Sequence, residues 1–205
     1  MIKAVTVLFA CIAIVGTICI IAMQSNSKEI VPTAGKIIDL MHYKNSQPLS
    51  FLENPHLVVK KKERKLELYD GEKLIEVYNV RLGFAPVGNK EKQGDGKTPE
   101  GEFYIFTKNA KSRFYLSLGV SYPSIDDAER GFREKIISKK ERDQIVEAIG
   151  KKKTPLQNTK LGGEIYIHGG GAINDWTQGC VALADEDIKE LFDILPIGAK
   201  VRIEP

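Results

Sequence analysis

The sequence predicts a mainly β domain, a sandwich or barrel, with a few helices added at its edges. Three observations predict it. From Leu57 onward, about seven or eight short runs carry strand character. These runs come in long stretches, without the regular β-α alternation of a doubly wound fold. Past Leu57 the helical signals are confined to Ser124 through Gly150 and to Asp185 through Leu195. With 205 residues, the chain has room for one ordinary domain plus extensions. An apolar share of 42% and a formal net charge of +3 argue against disorder.

Taken in order, the chain opens on an uncharged apolar run, Ala4 to Met23, behind Lys3. As a helix it would reach ~30 Å, about the hydrocarbon thickness of a bilayer. The expectation for residues 1–24 is a transmembrane anchor with its basic end inside, or an export signal. Either places the rest of the chain outside the cytoplasmic membrane, secreted if the segment is cleaved. Residues 25–55 are weakly patterned and contain Pro32, Pro48 and Pro55, which reads as a spacer with room for a short helix near Lys36–His42. A single domain is expected over 56–205.

Within that domain, "LVVK" and "KLELY" read as strands around a polar turn at Lys61–Arg64, and Asp70-Gly71 marks a hairpin turn into "KLIEVYNVRLG". A long loop rich in glycine and proline follows. "EFYIF" and "FYLSL" resume strand character. Ser124 with Asp127, and Ser138 with Glu141, have capping-box spacing and announce a helical insertion. "EIYIH" is a strand ending at His168, and "CVAL" is a strand starting at Cys180. "DEDIKELFDIL" is an amphipathic helix with Ile188, Leu191, Phe192 and Leu195 on one face, and "AKVRIE" is a closing strand. The lysine clusters at 60–62, 139–140 and 151–153 read as solvated surface, with an anionic polymer or membrane as the sharper alternative. No aromatic-rich basic motif points to nucleic acid.

The chemistry concentrates in "HGGGAINDWTQGC", His168 to Cys180. Cys11 and Cys19 lie in the apolar run, so Cys180 is the single cysteine of the remainder and has no internal disulfide partner. A thiol attacks as thiolate, so a catalytic cysteine needs a base, and a histidine is the usual supplier. Here the histidine ends one strand and the cysteine begins another. The glycines at 169–171 permit a sharp backbone path, and Gly179 would let the amides of Gly179 and Cys180 face a developing oxyanion. The local reading is therefore acyl transfer through a thioester, weighed against a packed cysteine and a satisfied histidine. Zinc wants three or four ligands, and His168, Cys180 and Asp175 supply neither enough nor close pairs, so no metal is expected. "GNKEKQGDGK" lacks the order of a phosphate loop, and no G-x-S-x-G elbow occurs.

Four elements in order carry a likeness to a known family: "LVVKKKERKLELYDGEKLIEVYNVRLG", "GDGKTPEGEFYI", "PLQNTKLGGEIYIHGGG" and "DWTQGCVAL". The set resembles the L,D-transpeptidase (YkuD-type) catalytic domain of bacterial cell-wall enzymes, in a divergent DWTxGC branch. The resemblance implies that family's β-sandwich with added α-helices. It implies Cys180 as nucleophile, His168 as proton acceptor, and the Gly169 carbonyl as the group that orients the imidazole. The substrates it implies are peptidoglycan stem peptides. Cys180 would attack the carbonyl after the third residue, D-alanine would leave, and an amine on another stem or an anchored protein would take the acyl group. It implies no metal and no organic cofactor. Thr177, Gln178, Trp176 and Tyr122 become candidates for the substrate cleft, and Asn158 and Thr159 for substrate contact or a turn. Tyr122 and Trp176 have the alternative of being core residues.

Two letters depart from the family pattern. Relatives carry Ser/Thr-His-Gly-Cys followed one residue later by Arg or Asn, whereas here Gln178 precedes Gly179 and Ala182 stands at the later position. Gln178 donates and accepts hydrogen bonds but cannot shuttle a proton. Water as acceptor, giving a carboxypeptidase or amidase, and a catalytically silent cell-wall-binding module remain the competing readings.

Overall fold

A computed structural model describes residues 52–171 and 173–205. The expected anchor and most of the expected spacer lie outside the described residues. Among the described residues no helix is long and apolar enough to cross a membrane.

Eight strands form one hydrogen-bonded ladder: β1 (Pro55–Lys60), β2 (Lys65–Asp70), β3 (Lys73–Asn79), β4 (Gly101–Ser112), β5 (Tyr115–Val120), β6 (Tyr166–His168), β7 (Val181–Ala182) and β8 (Lys200–Glu204). Their spatial order is β3-β2-β1-β8-β4-β5-β6-β7. The mainly β expectation is met, and the alternation of Leu57 with Val59, and of Leu66 with Leu68, delivers fully buried side chains to one face. The long β4 turns the ladder. Its first residues pair with β8, and its remainder pairs with β5 across register shifts between Ile105 and Thr107 and between Asn109 and Ser112. Extra residues of this kind bend a strand and increase its twist. Arg81, just past β3, then exchanges backbone hydrogen bonds of 2.9 and 2.8 Å with Ala182 of β7, which links the two ends of the ladder.

Among the described residues three helices accompany the strands: α1 (Ile125–Arg133), α2 (Lys139–Gly150) and α3 (Asp185–Ile194). Both expected capping boxes form, Ser124 with Asp127 and Ser138 with Glu141, so the insertion starts its helices where local chemistry says it should. It packs its own small core of Ala128, Ile137, Ile145 and Leu161. Helix α3 buries Ile188 and Leu191 against the main core.

Lys61 departs from the expected solvated charge of its cluster, and Lys90, outside those clusters, is buried too. Lys61 is 2% exposed, and its ammonium donates to the carbonyls of Gly88 and Thr98 at 2.6 and 3.0 Å and to Glu100 at 2.6 Å. Lys90 is equally buried and donates to Asp95 at 2.7 Å. Asp95 also accepts the backbone N–H groups of Glu91, Lys92 and Lys97. Burial alone would push its carboxyl up, but Lys90 and the three amides together pull it down to about 2. The long loop of residues 84–100 is thus pinned from inside by two ammonium groups, a cost in desolvation offset by their hydrogen bonds and ion pairs.

Candidate active site

The strand order puts His168 and Cys180 on one face of neighbouring strands. Strands β6 and β7 run parallel with Ile167 opposite Val181 and His168 opposite Ala182. Ile167 and Val181 point into the core, so alternation turns His168 and the residue before Val181, Cys180, to the opposite face. Cys180 stands level with Tyr166, whose backbone N–H donates to its sulfur at 3.4 Å. The thiol donates in turn to the carbonyl of Glu164 at 3.4 Å. Glu164 adopts φ 54, which aims that carbonyl at the thiol's side of the strand.

The imidazole is held on three sides. Nδ1 lies 2.6 Å from the carbonyl oxygen of Gly169. A carbonyl only accepts, so Nδ1 carries the proton and Nε2 is the free lone pair. Phe114 stacks on the ring at 4.6 Å and 22°, and Trp176 meets it edge-on at 5.6 Å. Gly169 is required by close approach: a Cβ there would sit 2.5 Å from Asp185 Oδ1 and 2.9 Å from the Phe114 carbonyl. Asp185, which leads α3, accepts the Gly170 N–H at 2.8 Å and fixes the loop after the histidine.

Burial holds the His168 pKa below its ordinary value, the Gly169 carbonyl opposes this, and the Arg113 charge adds to it. Burial also pushes the Cys180 thiol up to about 11, against the Tyr166 N–H and the charges of Lys90 and Arg113. Both groups are therefore neutral near pH 7. Alkylation of Cys180 by iodoacetamide is expected to rise about tenfold per pH unit through pH 9 and to level only near pH 11, because the thiolate is the reacting form. A plateau at the ordinary value of 9 would contradict this account of the resting site.

Several expected roles change. Tyr122 is fully buried, packs near Phe103 and donates its hydroxyl to the Leu161 carbonyl at 2.9 Å, so it is a core residue and not part of a cleft. Thr177 is also buried. Its hydroxyl donates to the Cys180 carbonyl at 2.7 Å and accepts the Gly179 N–H at 3.1 Å, which makes it a clamp on the cysteine turn rather than a substrate contact. The same bond removes the Gly179 amide from the expected oxyanion pair. Gly179 is needed instead for its φ of +134 and for close approach, since a Cβ would lie 2.7 Å from the Lys97 carbonyl. Trp176 covers His168 and donates to the Gly171 carbonyl at 3.4 Å. Gln178 is exposed beside the cysteine. Thr159 is buried and makes a turn, accepting the Leu161 N–H at 3.2 Å. Asp175 is engaged by the Arg64 guanidinium at 2.8 and 2.9 Å and by the Leu82 N–H, which ties the "DWTQGC" segment to the β1–β2 turn.

Sequence reasoning missed Phe114, Arg113, Glu164 and Asp185. Arg113, Phe114 and Asp185 reach the site from other elements, and Glu164 reaches it through its backbone carbonyl, so none carries a local signal.

With this geometry in view, the comparisons with known proteins are decisive for the family. The model of the YkuD L,D-transpeptidase catalytic domain matches residues 54–203. The chain belongs to that family. A curated protein of Escherichia coli (strain K12), "Putative L,D-transpeptidase YafK", is 30% identical over 89 residues, which are 40% of this chain and 36% of that protein. Among solved structures, the helical cell shape determining protein Pgp2 from Campylobacter jejuni aligns with a TM-score of 0.52 at 20% identity, covering 82% of this chain and 55% of Pgp2. Its K307A mutant aligns equally, over 80% of this chain. At that identity the likeness to Pgp2 is one of fold. The chain thus spans about half of that structure and little more than a third of that E. coli relative.

Proposed function

We propose that this YkuD domain is a peptidoglycan L,D-transpeptidase. Cys180 attacks the stem-peptide carbonyl at the bond to D-alanine. Nε2 of His168 takes the thiol proton as the sulfur–carbon bond forms, then returns it to the departing amine. The acyl thioester passes to an amine acceptor on another stem or an anchored protein. The Cys180 amide, left to this task by the commitment of Gly179 to Thr177, faces the oxyanion. No step calls for a metal or organic cofactor. In this reading Ala4–Met23 anchors the chain in the cytoplasmic membrane and the domain works on its outer side.

The observation that carries the proposal is the His168 Nδ1–Gly169 carbonyl contact of 2.6 Å, on the face to which the β6/β7 register brings Cys180. It leaves Nε2 as the unprotonated nitrogen, on the same strand face as the Cys180 thiol, which supports a Cys-His acyl-transfer pair. The test is mass spectrometry of the intact protein incubated with a tetrapeptide stem, with Cys180→Ala as control. An acyl adduct on Cys180 that an added amine resolves into a cross-linked product is the expected result. Release of D-alanine with water as the only acceptor would replace transpeptidation by hydrolysis. No adduct and no turnover would leave a cell-wall-binding module.

A further inference from the structure

Strands β4 and β5 are joined by a two-residue tip, Arg113-Phe114, with Ser112 paired to Tyr115. The Ser112 hydroxyl accepts the Phe114 N–H at 3.1 Å, and Tyr115 takes φ 70, so the tip is tightly turned. Strand β5 lies beside β6, with Ser117 opposite His168. The tip therefore projects over the histidine. Phe114 lays its ring on the imidazole at 4.6 Å, and the Arg113 guanidinium lies over that same ring, 4.7 Å from its centroid. Cation and imidazole are thus separated by no more than one shared aromatic ring.

Three other cations near this end of the ladder are occupied. Lys90 is paired with Asp95 and Arg64 with Asp175, while Arg81 donates to the carbonyls of Val80 and Ile173. Arg113 is exposed and, among the described residues, pairs with no carboxylate. Its charge is felt at both reacting groups, lowering the pKa of the His168 imidazole and of the Cys180 thiol. The carboxylate of Glu164, exposed on the β6 side, acts on the thiol in the opposite sense. The site is consequently polarised, with a free planar cation at the β4–β5 tip and an acid across the nucleophile. A guanidinium stacked on an aromatic face is pre-organised to take a carboxylate bidentately.

We propose that Arg113, held on Phe114 above His168, is the specificity-determining receptor for a carboxylate of the donor peptide. The proposal deepens the transpeptidase reading and rests on it for the identity of the ligand. Two carboxylates of a stem peptide share this chemistry, that of the departing C-terminal residue and that of a side chain, and the test separates them.

The first measurement does not depend on transpeptidation. Cys180 is alkylated with iodoacetate and with iodoacetamide in the parent, in Arg113→Gln and in Arg113→Lys. The rate ratio of the two reagents cancels any change in thiol pKa. Arg113→Gln is expected to lower the iodoacetate-to-iodoacetamide ratio several-fold, with Arg113→Lys in between and the difference shrinking at high salt. A ratio unchanged by Arg113→Gln overturns the proposal. The second measurement is adduct formation from three tetrapeptides: the free acid, the C-terminal amide and the side-chain amide. For the free acid, Arg113→Gln should raise KM about tenfold with kcat little changed. The amide whose KM is indifferent to the substitution identifies the carboxylate. Equal sensitivity of all three peptides, or of none, overturns the proposal. If no peptide acylates Cys180 even in the parent, the transpeptidase reading fails, and the alkylation ratio still decides whether Arg113 steers carboxylates to the thiol.

Discussion

Replacing His168 by glutamine is expected to slow acylation of Cys180 by roughly 100- to 10,000-fold while leaving the domain folded. Glutamine can still donate to the Gly169 carbonyl and fill much of the slot between Phe114 and Trp176, but it cannot accept a proton for transfer. The pH dependence gives the sharper signature. Burial depresses the imidazole pKa below its ordinary 6.5, so the base stays neutral as pH falls to that value, and the acid limb of the parent's kcat/KM lies below it. The limb should vanish in the variant. The linked stability runs the same way: the contribution of the neutral imidazole is present above pH 6.5 and is lost as pH falls through the depressed folded value. A variant acylated at the parent rate, or one that keeps the parent's acid limb, would remove His168 from the proposed mechanism.

Replacing Gly179 by alanine is expected to cost about 2–4 kcal/mol of stability and most of the activity. Two effects act together. The residue sits at φ +134, where an L side chain is strained, and its new Cβ would lie 2.7 Å from the Lys97 carbonyl oxygen, a backbone atom that cannot step aside cheaply. Relief requires moving either the cysteine turn, held by Thr177, or the loop pinned by Lys61 and Lys90. Thermal unfolding should drop by roughly 5–15 °C for a domain of this size. An unchanged Tm with unchanged Cys180 alkylation would show that the turn has more freedom than the geometry allows.

The letter beside the cysteine departs from the family pattern. Gln178 stands where relatives carry histidine, and the structure leaves it exposed next to a turn whose hydrogen bonds are already complete through Thr177. In the proposed mechanism His168 is the base, so Gln178 need not accept a proton.

What the sequence by itself determined is what a few consecutive residues encode. The alternation of β1 and β2, the two capping boxes, and the apolar stripe of α3 each arise within one element, where side-chain period and local hydrogen bonding decide the outcome. The placement of His168 at the end of one strand and Cys180 at the threshold of another was legible for the same reason. Only the tertiary structure decided who surrounds them. The order β4-β5-β6-β7 puts a hairpin tip over the imidazole, a backbone carbonyl lies on the thiol, and tertiary packing takes Tyr122, Thr177, Lys61 and Lys90 out of solvent. Those outcomes depend on which strands become neighbours, a choice made by burying the whole core at once, and no local stretch of sequence carries it.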